Sequence, residues 1–135
     1  MGENLKESLR WFKQAEKDLK AAKNSLQSAD YEWACFQAQQ AAEKALKSIL
    51  YAKGFRKILT HSVFELIKEV SRFEGGFEEF KQGAKVLDSV YIPARYPNGI
   101  AGDLVPYEYY EKEDAEECIT YAGSISERVK EFIWK

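Results

Sequence analysis

Apolar residues recur at helical spacing through most of the chain. From Asn4 to about Gln27 they fall at Leu5, Leu9, Phe12, Ala15, Leu19, Ala22 and Leu26, steps of three and four that form one stripe of an amphipathic helix. Ser28-Ala29-Asp30 interrupts that stripe, and Asp30 is a suitable N-cap for a second helix from Tyr31 to about Lys53, with Gly54 just past its end. So short a connection predicts an antiparallel helical hairpin. The second helix carries Ala34, Ala38, Ala41, Ala42, Ala45 and Ala52 on one broad side, widened towards a core by Leu46, Ile49 and Leu50. Thr60-His61-Ser62-Val63-Phe64-Glu65 opens a third, short helix. Ser62 and Glu65 have capping-box spacing there, and Thr60 competes as the cap. Phe77, Phe80, Ala84, Leu87 and Tyr91 predict a fourth helix over roughly 77–91, ended by Pro93. A last helix starts near Glu113-Asp114, with its stripe at Ala115, Ile119, Ala122, Ile125, Val129 and Phe132.

Between the last two helices, residues 92–112 hold three Pro and two Gly. Loops of this length inside a compact domain are uncommon and often functional. Strand-like alternation is absent outside Val105–Tyr110, a stretch too short to decide. The expected fold is all-α: an up-and-down antiparallel four-helix bundle with an additional short helix and one long loop before the last helix. The length of 135 residues suits one domain spanning 1–135.

Composition narrows the function classes. No apolar run approaches the 18 residues of a membrane span, and the charged N-terminus argues against a secretory signal, so a cytoplasmic protein is expected. One His and two Cys exclude the Cys/His zinc spacings; Cys35 and Cys118 read as small core residues, and neither a metal nor a cofactor is expected. With 20 basic against 22 acidic residues, bulk charge gives no general affinity for nucleic acid, and only a local basic site remains open. P-loop, GxGxxG and GxSxG motifs are absent.

Three places are candidates for chemistry. At 100° per residue, Gln37, Gln40, Glu43, Lys44 and Lys47 share one arc of the second helix with Trp33, Phe36 and Tyr51, opposite the alanines. Such a mixed face suits a solvated surface with Glu43–Lys47 pairing, a dimer contact, or a ligand wall in which lysines hold phosphate and rings stack a base. Asp18 and Glu43 are a further pair that the hairpin could bring together. His61 stands beside a helix start, as a structural group or as a base working near neutral pH. Arg95-Tyr96 lies between Pro93 and Pro97, and an Arg pinned there either clamps the loop or binds phosphate in two-pronged fashion. Tyr107, Tyr109 and Tyr110 either line a pocket mouth or fold the loop against the bundle, and the second is the favoured expectation.

Ala15-x-x-Asp18-Leu19-x-x-Ala22, then YEWACFQAQQAAEKALK over 31–47, Thr60-His61-Ser62, YIPARYP over 91–97 and Asp114-Ala115 together resemble the HEPN (higher eukaryote and prokaryote nucleotide-binding) domain family. The resemblance covers nearly the whole chain. It implies a helical bundle that usually dimerises and is often encoded beside a minimal nucleotidyltransferase, many such pairs behaving as toxin–antitoxin modules. It carries over to Gln40, Glu43, Lys47, His61, Arg95 and Tyr96 as a polar, nucleotide-binding site. Other members are metal-independent ribonucleases that use Arg-x(4–6)-His. Here that spacing is met by Arg56 and His61, whereas the family motif lies later, near Arg95-Tyr96, where no His follows. The expected function is therefore a nucleotide-binding module acting with a separate nucleotidyltransferase chain. One alternative is an endoribonuclease using His61 with Arg56 or Arg95 and no metal; the other is a homodimeric scaffold without ligand.

Overall fold

A computed structural model describes residues 2–133. The described residues form six α-helices: α1 (Gly2–Gln27), α2 (Tyr31–Ala52), α3 (Val63–Val70), α4 (Lys81–Ser89), α5 (Pro106–Tyr109) and α6 (Lys112–Ile133). No strand occurs among the described residues. The fold is the all-helical bundle expected, with α2 at its centre, packed against α1, α3, α4, α5 and α6. The alanines explain that position. Ala34, Ala38, Ala41, Ala42 and Ala45 are all buried, and their single methyl groups let neighbouring backbones come close while favouring the helix intrinsically. Phe12 of α1, Leu46, Ile49 and Leu50 of α2, Leu66 and Ile67 of α3, Leu87 of α4 and Ile125 of α6 close one continuous core around it.

The ends of α2 are set differently. At its C-terminus, Gly54 adopts φ +99°, Phe55 N–H donates to Leu50 O (3.0 Å) and Gly54 N–H to Tyr51 O (3.0 Å). This is a Schellman turn, in which glycine takes a left-handed conformation that would strain other residues. At its N-terminus the expected capping by Asp30 fails: φ −93° and ψ 68° leave the carboxylate without a cap hydrogen bond. Only its carbonyl participates, accepting from Ala34 N–H at 2.9 Å.

The fourth helix is shorter than the 77–91 expected from its stripe. Glu78–Phe80 is a 3₁₀ turn, α4 proper ends at Ser89, and the chain then tightens, with Tyr91 N–H donating to Asp88 O (3.3 Å) and Ala94 N–H to Val90 O (3.2 Å). Phe77, Ala84 and Leu87 are nevertheless buried, so the apolar period was real although the backbone is not uniformly α-helical. In the long loop, the stretch left undecided by the sequence holds α5, because Pro106 opens a helical turn in which the Glu108 carboxylate accepts from Val105 N–H (3.1 Å). The loop is held by buried Ala94, Ile100 and Tyr110, while Tyr107 and Tyr109 stay exposed. Cys35 and Cys118 are free and buried. The hydrogen bond to Cys118, and then burial, push the Cys35 thiol far above its ordinary range, so it serves as a small core residue. No helix among the described residues is long and apolar enough to cross a membrane.

Candidate functional site

The polar arc of α2 is the side that sequence polarity assigns to solvent, yet Glu43 and Lys47 are only 3% exposed. A buried carboxylate is tolerated only when its charge is compensated and its lone pairs are used. Glu43 meets both conditions. Its Oε2 accepts from Lys47 Nζ at 2.8 Å and lies 2.9 Å from His61 Nδ1, while its Oε1 accepts from Gln39 Nε2 at 3.1 Å and from Gln40 Nε2 at 3.4 Å. Gln39, fully buried, also donates to His61 O at 3.1 Å and accepts from Gln40 at 2.8 Å. Residue 39 therefore fixes both the carboxylate and the backbone that carries the imidazole.

His61 is held from its other side by α3. Ser62 caps that helix as the capping-box spacing implies, its Oγ accepting from Glu65 N–H at 3.0 Å. The Thr60 hydroxyl also bonds to the Glu65 carboxylate. A partner that sequence reasoning missed is Asp88 of α4, which accepts from Ser62 Oγ (2.7 Å), Val63 N–H (2.6 Å) and Phe64 N–H (3.3 Å). The negative charge sits where the α3 dipole is positive. Its only sequence signal is a lone Asp near the end of a predicted helix.

The His61 ring stacks on Tyr91 with centroids 5.3 Å apart, and its side chain remains 55% exposed. With Nδ1–H directed at the Glu43 carboxylate, the neutral imidazole keeps its lone pair on Nε2. Arg95 shares the Tyr91 ring. Its guanidinium carbon lies 4.7 Å from that centroid, 4.3 Å from Phe36 and 5.3 Å from Tyr96, while Nε donates to Tyr91 O at 2.8 Å. Arg95 forms no ion pair among the described residues, so its Nη atoms keep their donors for another group. Tyr96 is half-exposed beside it, and Trp33 stands edge-on to Phe36 at 6.3 Å.

Gln40, Glu43, Lys47, His61, Arg95 and Tyr96 thus occupy one continuous face of α2, the α3 entry and the turn after α4. Two of them stand differently from the sequence expectation. Glu43 is saturated by Gln39, Gln40, Lys47 and His61. The Lys47 ammonium is spent on Glu43 at 2.8 Å and lies 5.7 Å from the Trp11 centroid, so it faces inward. The other candidates disperse. Gln37 accepts from Ser25 Oγ at 2.6 Å, and Asp18 pairs with Lys44 at 2.6 Å rather than meeting Glu43. Arg56 opens instead on a surface cavity of about 280 Å³, with Asn4, Glu7 and Tyr51.

The HEPN domain profile matches residues 8–132. The chain belongs to the HEPN domain family. The Methanocaldococcus jannaschii protein named "Putative toxin MJ1304" is 33% identical over 98% of this chain and 91% of its own length. Among solved structures, TT1696 from Thermus thermophilus superimposes with a TM-score of 0.86 at 38% identity, covering 92% of this chain and 96% of that one. ST0689, an archaeal HEPN homologue, gives 0.76 at 40% identity over 93% and 97%. The HEPN domain protein of Thermotoga maritima gives 0.74 at 30% identity over 93% and 98%.

Proposed function

We propose that this HEPN module binds nucleotide phosphate on Arg95 and His61, with Tyr96 or Trp33 stacking the base, and that it works as a homodimer with a separate minimal nucleotidyltransferase chain. The observation that carries the reading is a guanidinium without an ion-pair partner among the described residues, stacked over three rings beside a half-exposed imidazole. Arg presents a planar donor fork to phosphate oxygens, and ring stacking reduces the conformational freedom it loses on binding. The partner chain and the pairing of two copies rest on the family resemblance; a monomeric mass by light scattering would remove the latter.

Calorimetric titration with ATP and the other nucleoside triphosphates tests the site. Binding is expected for the unaltered chain and a loss of about 10- to 100-fold for Arg95→Ala, the worth of a charged hydrogen-bonded pair. Arg95→Lys should recover little of it. Absence of heat and of any thermal shift across the nucleotides overturns the reading.

One observation favours a second reading, metal-independent RNA cleavage: His61 Nδ1 lies 2.9 Å from the Glu43 carboxylate, which can only accept, so that in the neutral ring the lone pair falls on Nε2. An imidazole so oriented can take the proton of a ribose 2′-hydroxyl as that oxygen attacks the adjacent phosphorus; the P–O5′ bond breaks, the 5′-oxygen takes a proton from the imidazolium or water, and a 2′,3′-cyclic phosphate is left, while Arg95 steadies charge on the phosphate. Structured RNA incubated with the chain in EDTA should then be cut, with His61→Gln slower by about 10²- to 10⁴-fold. RNA left intact by the unaltered chain excludes this activity.

A further inference from the structure

A second feature lies on α1, outside the site just described. At 100° per residue, Lys6, Arg10, Lys13, Lys17 and Lys20 fall within an arc of about 80°, and no other residue between 6 and 20 does. The arc looks away from the apolar stripe that packs on the core, and all five side chains are exposed. The acids of this segment, Glu7, Glu16 and Asp18, stand outside it. Only Arg10 is engaged in an ion pair, with Glu7 at 2.8 Å, while Lys6, Lys13, Lys17 and Lys20 have none among the described residues. Segregation of this kind is unexpected in a chain whose net charge is −2.

We propose that this face of α1 is a track for the phosphodiester backbone of a single-stranded nucleic acid, taken as RNA from the cleavage reading above. The inference goes beyond the nucleotide-phosphate reading above and does not depend on it. Helical rise places the five cations along about 21 Å, one every ~5 Å, a spacing comparable to that of successive phosphates and suited to neutralising several of them. The arc contains no apolar residue. A protein partner needs a buried apolar or aromatic anchor for affinity, whereas a polyphosphate chain is held by charge and counterion release alone.

The track also leads towards the first site. Arg10, Lys13 and Lys17 line an open groove of about 600 Å³ together with Glu7, Trp11, Gln14 and Lys44, the last paired with Asp18 at 2.6 Å. Lys44 lies one turn from Gln40 on α2, and the Trp11 ring borders Lys47 and stacks on Tyr51 with centroids 5.0 Å apart. A strand lying along α1 would therefore pass an aromatic ring and reach the Gln40–His61–Arg95 face.

The test is the salt dependence of binding to a fluorescent 15-nucleotide oligouridylate, with ATP as the short ligand. A variant carrying Lys6→Gln, Arg10→Gln, Lys13→Gln, Lys17→Gln and Lys20→Gln keeps good helix formers on a solvent face, and a thermal melt checks that it folds. A matched control neutralises Lys23, Lys57, Lys85, Lys112 and Lys130. The log–log salt slope of the oligonucleotide should fall by about 3 to 4 in the track variant, the release expected from five single-strand phosphates, and much less in the control. ATP affinity should be unchanged in the track variant, whereas Arg95→Ala weakens ATP; failure of that last arm alone removes the Arg95 site and leaves the track standing. Equal slopes in track variant and control reduce the effect to general charge and overturn the proposal. So does a 15-residue poly-glutamate peptide that binds the same face as tightly, which would assign it to an acidic protein.

Discussion

Replacing Glu43 by alanine is expected to lower the stability of the fold by about 3–5 kcal/mol, the usual cost of leaving a buried charge without its partner. The charge left behind is Lys47, whose side chain is 4% exposed and whose ammonium has Glu43 as its only ion-pair partner among the described residues. Gln39 and Gln40 lose an acceptor at the same time, and His61 loses the group that orients its ring. For a domain of this size the melting temperature should fall by roughly 10–25 °C. The double variant Glu43→Gln with Lys47→Met separates charge from packing. It removes both ions while keeping much of the volume, so it should melt well above Glu43→Ala. Calorimetric or circular-dichroism melts of the three proteins decide the matter. A Glu43→Ala protein melting within about 2 °C of the unaltered chain would mean that the buried pair does not govern this part of the fold.

The second large effect is expected at Asp88. Its carboxylate accepts from one hydroxyl and two backbone amides at the start of α3. Loss of a charged cap with three hydrogen bonds should cost about 2–4 kcal/mol. The consequence is local as well as global, because His61 lies immediately upstream of the segment so held. In Asp88→Ala, hydrogen exchange at the amides of Val63 and Phe64 should accelerate more than at the amides of α2, and any ligand affinity that depends on His61 should fall with it. Asp88→Asn, which retains an acceptor without the charge, should lie between. Unchanged protection at Val63 and Phe64 would show that Ser62 alone holds the helix start.

These two residues also mark where the sequence ceases to be readable. The stripes of α1, α2 and α6 are local patterns with a fixed period, so their existence and approximate limits follow from the chain alone. The closing turn at Gly54 and the Ser62–Glu65 cap are local too, and the structure contains both. Asp88 meets Ser62 across 26 residues, and Glu43 meets His61 across 18, pairings for which no periodicity exists. Side-chain polarity placed Glu43 and Lys47 at a surface. It does not reveal that two glutamines, an ammonium and an imidazole satisfy that carboxylate inside the molecule.

The Arg-x4-His spacing between Arg56 and His61 suggested a partnership on sequence distance. The turn after Gly54 instead sends Arg56 towards the start of α1. Arg95 was readable for a different reason. Prolines on either side of it announce a constrained backbone, and the constraint places its guanidinium against Phe36 of α2.

The most direct test of the Arg95–His61 site uses the fact that the chain contains a single histidine. Its imidazole Cε1–H resonance is therefore assigned without ambiguity, and it can be followed by NMR during titration with ATP at fixed pH. The expected result is a saturable shift of the His61 signal in the unaltered chain that disappears in Arg95→Ala while the fold, judged by the remaining spectrum, is kept. A His61 signal that stays in place while other resonances report nucleotide binding would locate the ligand elsewhere and contradict the assignment.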